Sequence, residues 1–297
     1  MSVAQTGPEG PAESAAARRA DDPPPAPHDG SSTQERGDPH PPLVHVDAQD
    51  KIGTVAFDNP RRRNALGAAT VAAVLDALTA FADAGVRAVV LRTRVPSAVW
   101  SAGHDIDELP VRGIDPLPFA DPLEELLRAV RSFPGAVIAM VHGTAWGGAC
   151  DLVLNCDLVV ADHSAAFAVT PARLGLPYSA SGVQYFLARL PLHVVNELLM
   201  TADPIPAARA LAVGIVNRLV DESDLEAETY ALARRVRSRS GEAIRAYKLQ
   251  ATTFTRAVAL SAQDSQWINQ LRHDVYDGAD YAEGIAAFVE KRAPDFG

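Results

Sequence analysis

The chain has 297 residues, 47% hydrophobic and 22% charged, with a formal net charge of −10. That length and balance suit one large folded domain, or one domain with appendages. The acidic excess excludes phosphate-backbone binding as the main task, since that needs Lys and Arg to neutralise phosphates, so no nucleic-acid partner is expected.

No targeting segment is visible in residues 1–20, which lack an apolar core of signal-peptide length. The most apolar region, 136–162, is broken by His142, Asp151 and Asp157, which leaves it short of a membrane span. Cys150 and Cys156 fall at a helical spacing that turns them in different directions, which favours core packing over a disulfide or metal pair. Such sparse cysteine fits a reducing cytoplasm, the expected location.

Residues 1–42 carry nine of the 22 prolines together with many Ala, Asp, Gly and Ser. A segment of that composition buries too little apolar area to offset its ordering entropy, and a disordered tail is expected. From Leu43 the pattern changes. Leu43–Val46 and Ile52–Phe57 read as strands around a turn at Gln49-Asp50. Leu66–Ala82 repeats apolar residues at helical spacing, Arg87–Leu91 is a short strand, and Ala98–Ser101 is a strand end. Pro122–Phe133 predicts a helix, Val137–Val141 a buried strand, Gly147–Leu154 a short helix, and Leu158–Ala161 and Ala166–Val169 further extended pieces. Beyond Gly182 helices are predicted over 182–200, 206–213, 223–236, 240–256, 257–275 and 279–290. Strands alternating with helices, then a helical final third, indicate an α/β core over 43–235 and a helical region over 236–297.

Two glycine turns stand out, Ser101-Ala102-Gly103-His104-Asp105-Ile106 and Val141-His142-Gly143-Thr144-Ala145-Trp146-Gly147-Gly148-Ala149. Each ends an apolar run in residues that expose backbone N–H groups. If the turns face each other, one N–H from each can hold a developing oxyanion.

With Asn59-Pro60, Asn64-Ala65-Leu66, Cys156-Asp157-Leu158, Ala208–Gly214 and the ending Glu283–Arg292, these turns resemble the crotonase (enoyl-CoA hydratase/isomerase) superfamily over about residues 43–295. The resemblance implies a spiral of ββα units with a helical C-terminal trimerisation region. It also implies an acyl-CoA thioester substrate, with the N–H groups of His104 and Gly148 as the oxyanion hole. Coenzyme A then enters as part of the substrate, and no metal or redox cofactor is implied. For the nucleotide and pantetheine it points to the Arg61–Arg63 stretch (Arg63 above all), Ala102, Asp105, Ile106 and Gly147. Phe288 and Lys291 would come from a neighbouring subunit of a homotrimer or dimer of trimers.

The hydratases of this superfamily use two glutamates to add water by general acid–base catalysis. Here the first position is Asp151 and the second falls in Thr170-Pro171-Ala172, without a carboxylate. The stretches His104–Pro110, Asp115-Pro116-Leu117, Trp146-Gly147-Gly148, Thr170-Pro171 and Leu174–Tyr178 instead resemble the branch that decarboxylates methylmalonyl-CoA. Loss of CO₂ itself generates an enolate, so that chemistry needs an oxyanion hole and a pocket free of paired carboxylates. Tyr178 is then expected to hold the departing carboxylate and return the proton, Thr170 to donate a hydrogen bond to the carboxylate or the enolate, and Trp146 to wall the acyl pocket. Tyr178 and Trp146 also suit plain packing, and Thr170 a strand end satisfied by backbone. His142 is expected to be structural and Asp151 a solvated or hydrogen-bonded relic. A hydratase or isomerase using Asp151, and a scaffold that binds acyl-CoA without turnover, are the alternatives.

Overall fold

The computed structural model describes residues 42–110, 114–115, 117–118, 120–255 and 261–296. The tail expected to be disordered lies outside them except for Pro42, as do residues 256 and 257–260 of two expected helices.

The chain builds two sheets by alternating between them. β1 (Val44–Gln49) and β2 (Ile52–Phe57) form an antiparallel hairpin whose turn places Asp50 and Lys51 at positive φ. α1 (Ala68–Asp83) buries Val71, Val74, Leu78 and Phe81 at helical spacing. There follow β3 (Ala88–Thr93) and β4 (Val99–Ser101), then α2 (Pro122–Ser132). The pattern repeats with β5 (Ala136–Val141), β6 (Thr144–Trp146) and α3 (Gly148–Asn155). It repeats again with β7 (Leu158–Asp162), β8 (Ala166–Ala168) and α4 (Ala180–Arg189). In each round the longer strand joins a six-stranded sheet and the shorter strand a four-stranded one, which makes a spiral of ββα turns. The large sheet runs β1-β2-β3-β5-β7-β10, parallel beyond the hairpin; the small one runs β4-β6-β8-β9. Strands β3, β5 and β7 are almost wholly buried, as parallel strands covered on both faces must be.

The remainder is mainly helical: α5 (Leu192–Met200), β9 (Ile205–Pro206), α6 (Ala207–Val213), β10 (Arg218–Val220), α7 (Glu222–Arg237), α8 (Gly241–Thr255), α9 (Ala262–Tyr276) and α10 (Ala279–Glu290). The helix expected over 182–200 is two helices. Pro191 has no N–H to continue the ladder, and it starts α5 instead. α8 is tied down by Lys248, whose buried ammonium meets Val130 O, Gly135 O and Asp157 Oδ2 at 2.8, 3.1 and 2.6 Å. α10 lies against the turn Pro171–Leu174 of its own chain, and there Gly284 and Gly175 allow backbones to touch. A β-carbon on Gly284 would fall 2.2 Å from Leu174 O, and one on Gly175 2.3 Å from Asp280 O.

Candidate functional site

The two glycine turns meet. Ser101, at the end of β4, is fully buried; its hydroxyl donates to Asn64 O at 2.6 Å and accepts from Gly103 N at 3.2 Å. Leu66 N donates to Gly103 O and Asn64 Nδ2 to Trp100 O, so the Asn64-Ala65-Leu66 stretch braces the first turn. Gly103 takes φ +83° and runs so close to the second turn that a β-carbon there would lie 2.3 Å from Trp146 O and 2.9 Å from Gly148 N. Gly147, at φ +51°, is the N-cap of α3, and Gly148 opens the helix. The first N–H groups of a helix have no partner within it, and they carry the positive end of its dipole. A β-carbon on Gly148 would stand 3.3 Å from the His104 nitrogen. The backbone nitrogens of His104 and Gly148 are therefore neighbours, and both residues line one cleft.

The cleft is lined by Ala102, His104, Ile106, Leu109, Leu117, Asp121, Leu123, Glu124, Leu127, Gly147, Gly148, Asp151, Thr170, Pro171, Leu174, Leu176, Tyr178 and Ser179. The His104 ring is held at both nitrogens, Nδ1 to Asp105 O at 3.1 Å and Nε2 to Asp121 Oδ2 at 3.0 Å. Both partners are acceptors, so an imidazolium satisfies both where a neutral ring satisfies one. Burial works against that charge, but the hydrogen bond and charge of Asp121 outweigh it and the His104 pKa is raised. Asp121 also caps α2, accepting from Leu123 N at 2.8 Å.

Asp151 is 3% exposed rather than solvated. Tyr178 donates its hydroxyl to Asp151 Oδ2 at 2.5 Å, and Asn155 Nδ2 donates to Oδ1 at 2.7 Å. Burial, with the charge of Glu124, outweighs these bonds and pushes the Asp151 carboxyl up to about 7. Burial and the Asp151 charge raise the Tyr178 phenol well above its usual value, so it stays neutral. The Tyr178 ring stacks on Phe186, with centroids 5.3 Å apart.

The expectation of a pocket without paired carboxylates needs correction. Glu124, 6% exposed, lines the same cleft as Asp151, and its oxygens meet Ser181 Oγ at 3.3 Å. Pattern reading missed it because a Glu in the first turn of a helix is ordinarily a solvated residue favoured by the dipole. A signal was present, however. Glu124 sits three residues before Leu127 and seven before Arg131, beside the buried stripe Leu123, Leu127 and Val130.

Other expected residues take various places. Thr170 lines the cleft, with a hydroxyl unused for capping that would lie 3.2 Å from a β-carbon on Gly147. Ala102 and Ile106 line its mouth, and Ala102 N is engaged by Arg63 O at 2.9 Å. Trp146 is half-buried at the end of β6, and its carbonyl lies beside Gly103. Arg62, rather than Arg63, binds Asp105 at 2.5 Å and Asp107 at 2.7 Å, and this engages the Asp105 carboxylate. Arg63 is exposed at positive φ. Phe288 (51% exposed) lies in the last turn of α10 and Lys291 caps its end. Earlier along the helix Tyr281, Gly284 and Ala287 are buried, and Tyr281 donates to Pro110 O at 2.5 Å.

His142 shares Asp162 with Ser164 outside the cleft. Ser164 and Asp162 both meet Nδ1 of the ring, so the cluster braces two strand ends and does not form a nucleophile–base relay. No group of three or more His, Cys, Asp or Glu arranged to hold a metal ion occurs among the described residues. None of the described helices is long and apolar enough to cross a membrane.

A ββα spiral whose successive turns bring the backbone nitrogens of His104 and Gly148 to one cleft defines a crotonase-type protein. Residues 47–297 match the enoyl-CoA hydratase/isomerase family, and the chain belongs to it. It is 38% identical over 253 residues to methylmalonyl-CoA decarboxylase of Escherichia coli (strain K12), covering 85% of this chain and 97% of that one. It is 32% identical to the human mitochondrial enoyl-CoA hydratase domain-containing protein 3, covering 82% and 80%. Among solved structures, methylmalonyl-CoA decarboxylase in complex with 2-nitronate-propionyl-CoA superposes with a TM-score of 0.84. That match has 37% identity and covers 86% of this chain and 98% of the other.

Proposed function

We propose that the protein decarboxylates a malonyl-type thioester, methylmalonyl-CoA or malonyl-CoA, through an enolate. The observation that carries this reading is that the Tyr178–Asp151 pair lines the same cleft as His104 and Gly148, whose backbone nitrogens are neighbours. The likeness to methylmalonyl-CoA decarboxylase supports it.

In this scheme the thioester oxygen sits between the two amides, and Tyr178 and Thr170 orient the substrate carboxylate. The C–CO₂ bond breaks, its electron pair forms the enolate, and the developing negative charge settles on the oxygen held by the amides. Losing one such donor typically costs about 2.7–4 kcal/mol of transition-state stabilisation. A proton from the Tyr178–Asp151 pair then reaches the α-carbon and yields the saturated acyl-CoA. Asp151, balanced near neutrality, can hold that proton, and in its neutral form it does not repel the substrate carboxylate. The reaction needs no metal or redox cofactor, because CO₂ departure itself supplies the electron pair.

Coenzyme A is placed along Ala102, Asp105, Ile106 and Gly147, with Arg63 near its phosphates. Phe288 and Lys291 of a neighbouring copy close over the nucleotide in a homotrimer or dimer of trimers. The exposed Tyr247 and Phe254 of α8 and Trp267 of α9 are large apolar side chains that such an assembly would cover.

A second reading rests on Glu124. Two buried carboxylates in one cleft are the equipment for acid–base addition of water, or for moving a double bond. Side-by-side assays with methylmalonyl-CoA and crotonyl-CoA separate the two. CO₂ release without hydration supports decarboxylation, and brisk hydration without CO₂ overturns it.

A further inference from the structure

Behind Asp151, away from the residues that line the cleft, the hydrogen bonding continues through Asn155 to Arg131. Asn155, one turn further along α3 and 1% exposed, donates from Nδ2 to Asp151 Oδ1 at 2.7 Å and to the Asp151 main-chain carbonyl at 2.8 Å. Its Oδ1 accepts from Arg131 Nη1 at 2.5 Å. A guanidinium only donates and a main-chain carbonyl only accepts, so both ends of the Asn155 amide are assigned and it cannot flip. A proton on Asp151 Oδ1 would point into the Nδ2 hydrogens. The proton of neutral Asp151 is thereby confined to Oδ2, the oxygen that faces Tyr178.

We infer that Asn155, held by Arg131, is a positioning residue that gives the proton path of the site its direction, from Asp151 Oδ2 through Tyr178 into the cleft. The inference rests on the reading of Asp151 and Tyr178 as the proton pair. With Asp151 ionised, the Tyr178 hydroxyl donates to Oδ2. With Asp151 neutral, Oδ2–H donates to Tyr178 Oη, and the phenolic hydrogen turns into the cleft. On transfer, the phenolic O–H bond breaks as a C–H bond forms at the α-carbon. The Oδ2–H bond breaks as the phenolic O–H bond re-forms, which leaves Asp151 a carboxylate to be reprotonated from water.

The charged and titratable groups around Asp151 are Glu124 and Arg131 from α2, His104 and Asp121 in the lining of the same cleft, Tyr178 from the loop before α4, and Cys150 on its own helix. Glu124 favours the neutral acid; Arg131 and Asn155 favour the carboxylate and fix where its proton returns.

The test uses the full-length Asn155→Leu variant. Arg131→Met perturbs the same amide from the half-buried side if the first fails to fold, and Arg131→Lys serves as the conservative rescue. Two readouts are taken: the carboxyl NMR titration of ¹³C-aspartate-labelled ligand-free protein, and kcat and KM against pH with methylmalonyl-CoA. Removing the Asn155 donor is expected to move the Asp151 step and the alkaline limb of kcat upward by about one pH unit, roughly one hydrogen bond. The kcat plateau should fall about tenfold while KM stays within about twofold. Arg131→Met should act in the same direction and Arg131→Lys should restore the wild-type profile. A lower plateau with an unmoved step and limb, or no change in any of them, overturns the inference. Wild-type protein that leaves methylmalonyl-CoA unchanged removes only the decarboxylase reading. The NMR step then decides alone: movement in Asn155→Leu upholds control of Asp151, and a fixed step overturns it.

Discussion

The Tyr178 hydroxyl stands 2.5 Å from Asp151 Oδ2, although the two residues are 27 positions apart in sequence. One comes from the loop after the Pro171–Leu174 turn and the other from the first turn of α3. The pair joins a neutral phenol to a carboxyl poised between its two forms, which is the property a proton donor at neutral pH requires.

Replacement of Tyr178 by Phe keeps the stack on Phe186 and removes only the hydroxyl. The expected result in steady-state kinetics is a fall in kcat of about a hundredfold or more with a small change in KM. Full activity in the Phe variant would show that the ring is there for packing.

Because the neutral acid is the working form, kcat should be highest below about pH 7 and decline as pH rises through that value. A pH–rate profile from 5 to 9 checks this. Activity that rises through the same window contradicts a donor role for Asp151.

Stability should carry the same sign. The folded pKa of Asp151 lies above its unfolded value of 3.8, so between that value and about 7 the native state binds more protons than the unfolded state. Stability therefore declines as pH rises across that window, at a slope of up to about 1.4 kcal/mol per pH unit. His104, also raised, adds stability that is complete below 6.5 and fades as pH passes its folded value. Asp151→Asn removes the buried charge. Thermal denaturation should show it more stable than wild type at pH 8 and nearly equal at pH 4.5, with turnover abolished.

Gly103 permits the contact between the two turns. Gly103→Ala places a methyl 2.3 Å from Trp146 O at a φ of +83°, so the amides of His104 and Gly148 must separate. A loss of stability of about 2 kcal/mol or more is expected in denaturant melts, with a larger proportional loss in kcat than in thioester affinity. Unchanged kcat would separate catalysis from those amides.

Much of this arrangement was legible in the residues. The strand pattern from Ile52 to Ala168, the two glycine turns and the family resemblance located the spiral and the amides of His104 and Gly148. Three features were not legible, each for a physical reason. β6 spans only Thr144–Trp146, too short for any periodicity to register, although it is what aims the second turn. The partnership of Tyr178 with Asp151 depends on how consecutive turns of the spiral stack, which local spacing does not encode. Glu124 carries a residue type that normally faces water, and only its place beside the buried stripe of α2 brings it inside.

Decarboxylation through a held enolate is tested most directly by incubating the purified protein with methylmalonyl-CoA in D₂O and measuring CO₂ and the acyl-CoA product together. The expected outcome is propionyl-CoA bearing one deuterium at the α-carbon, formed in equal amount to the CO₂ released. Intact methylmalonyl-CoA under conditions where the same preparation hydrates crotonyl-CoA would contradict it.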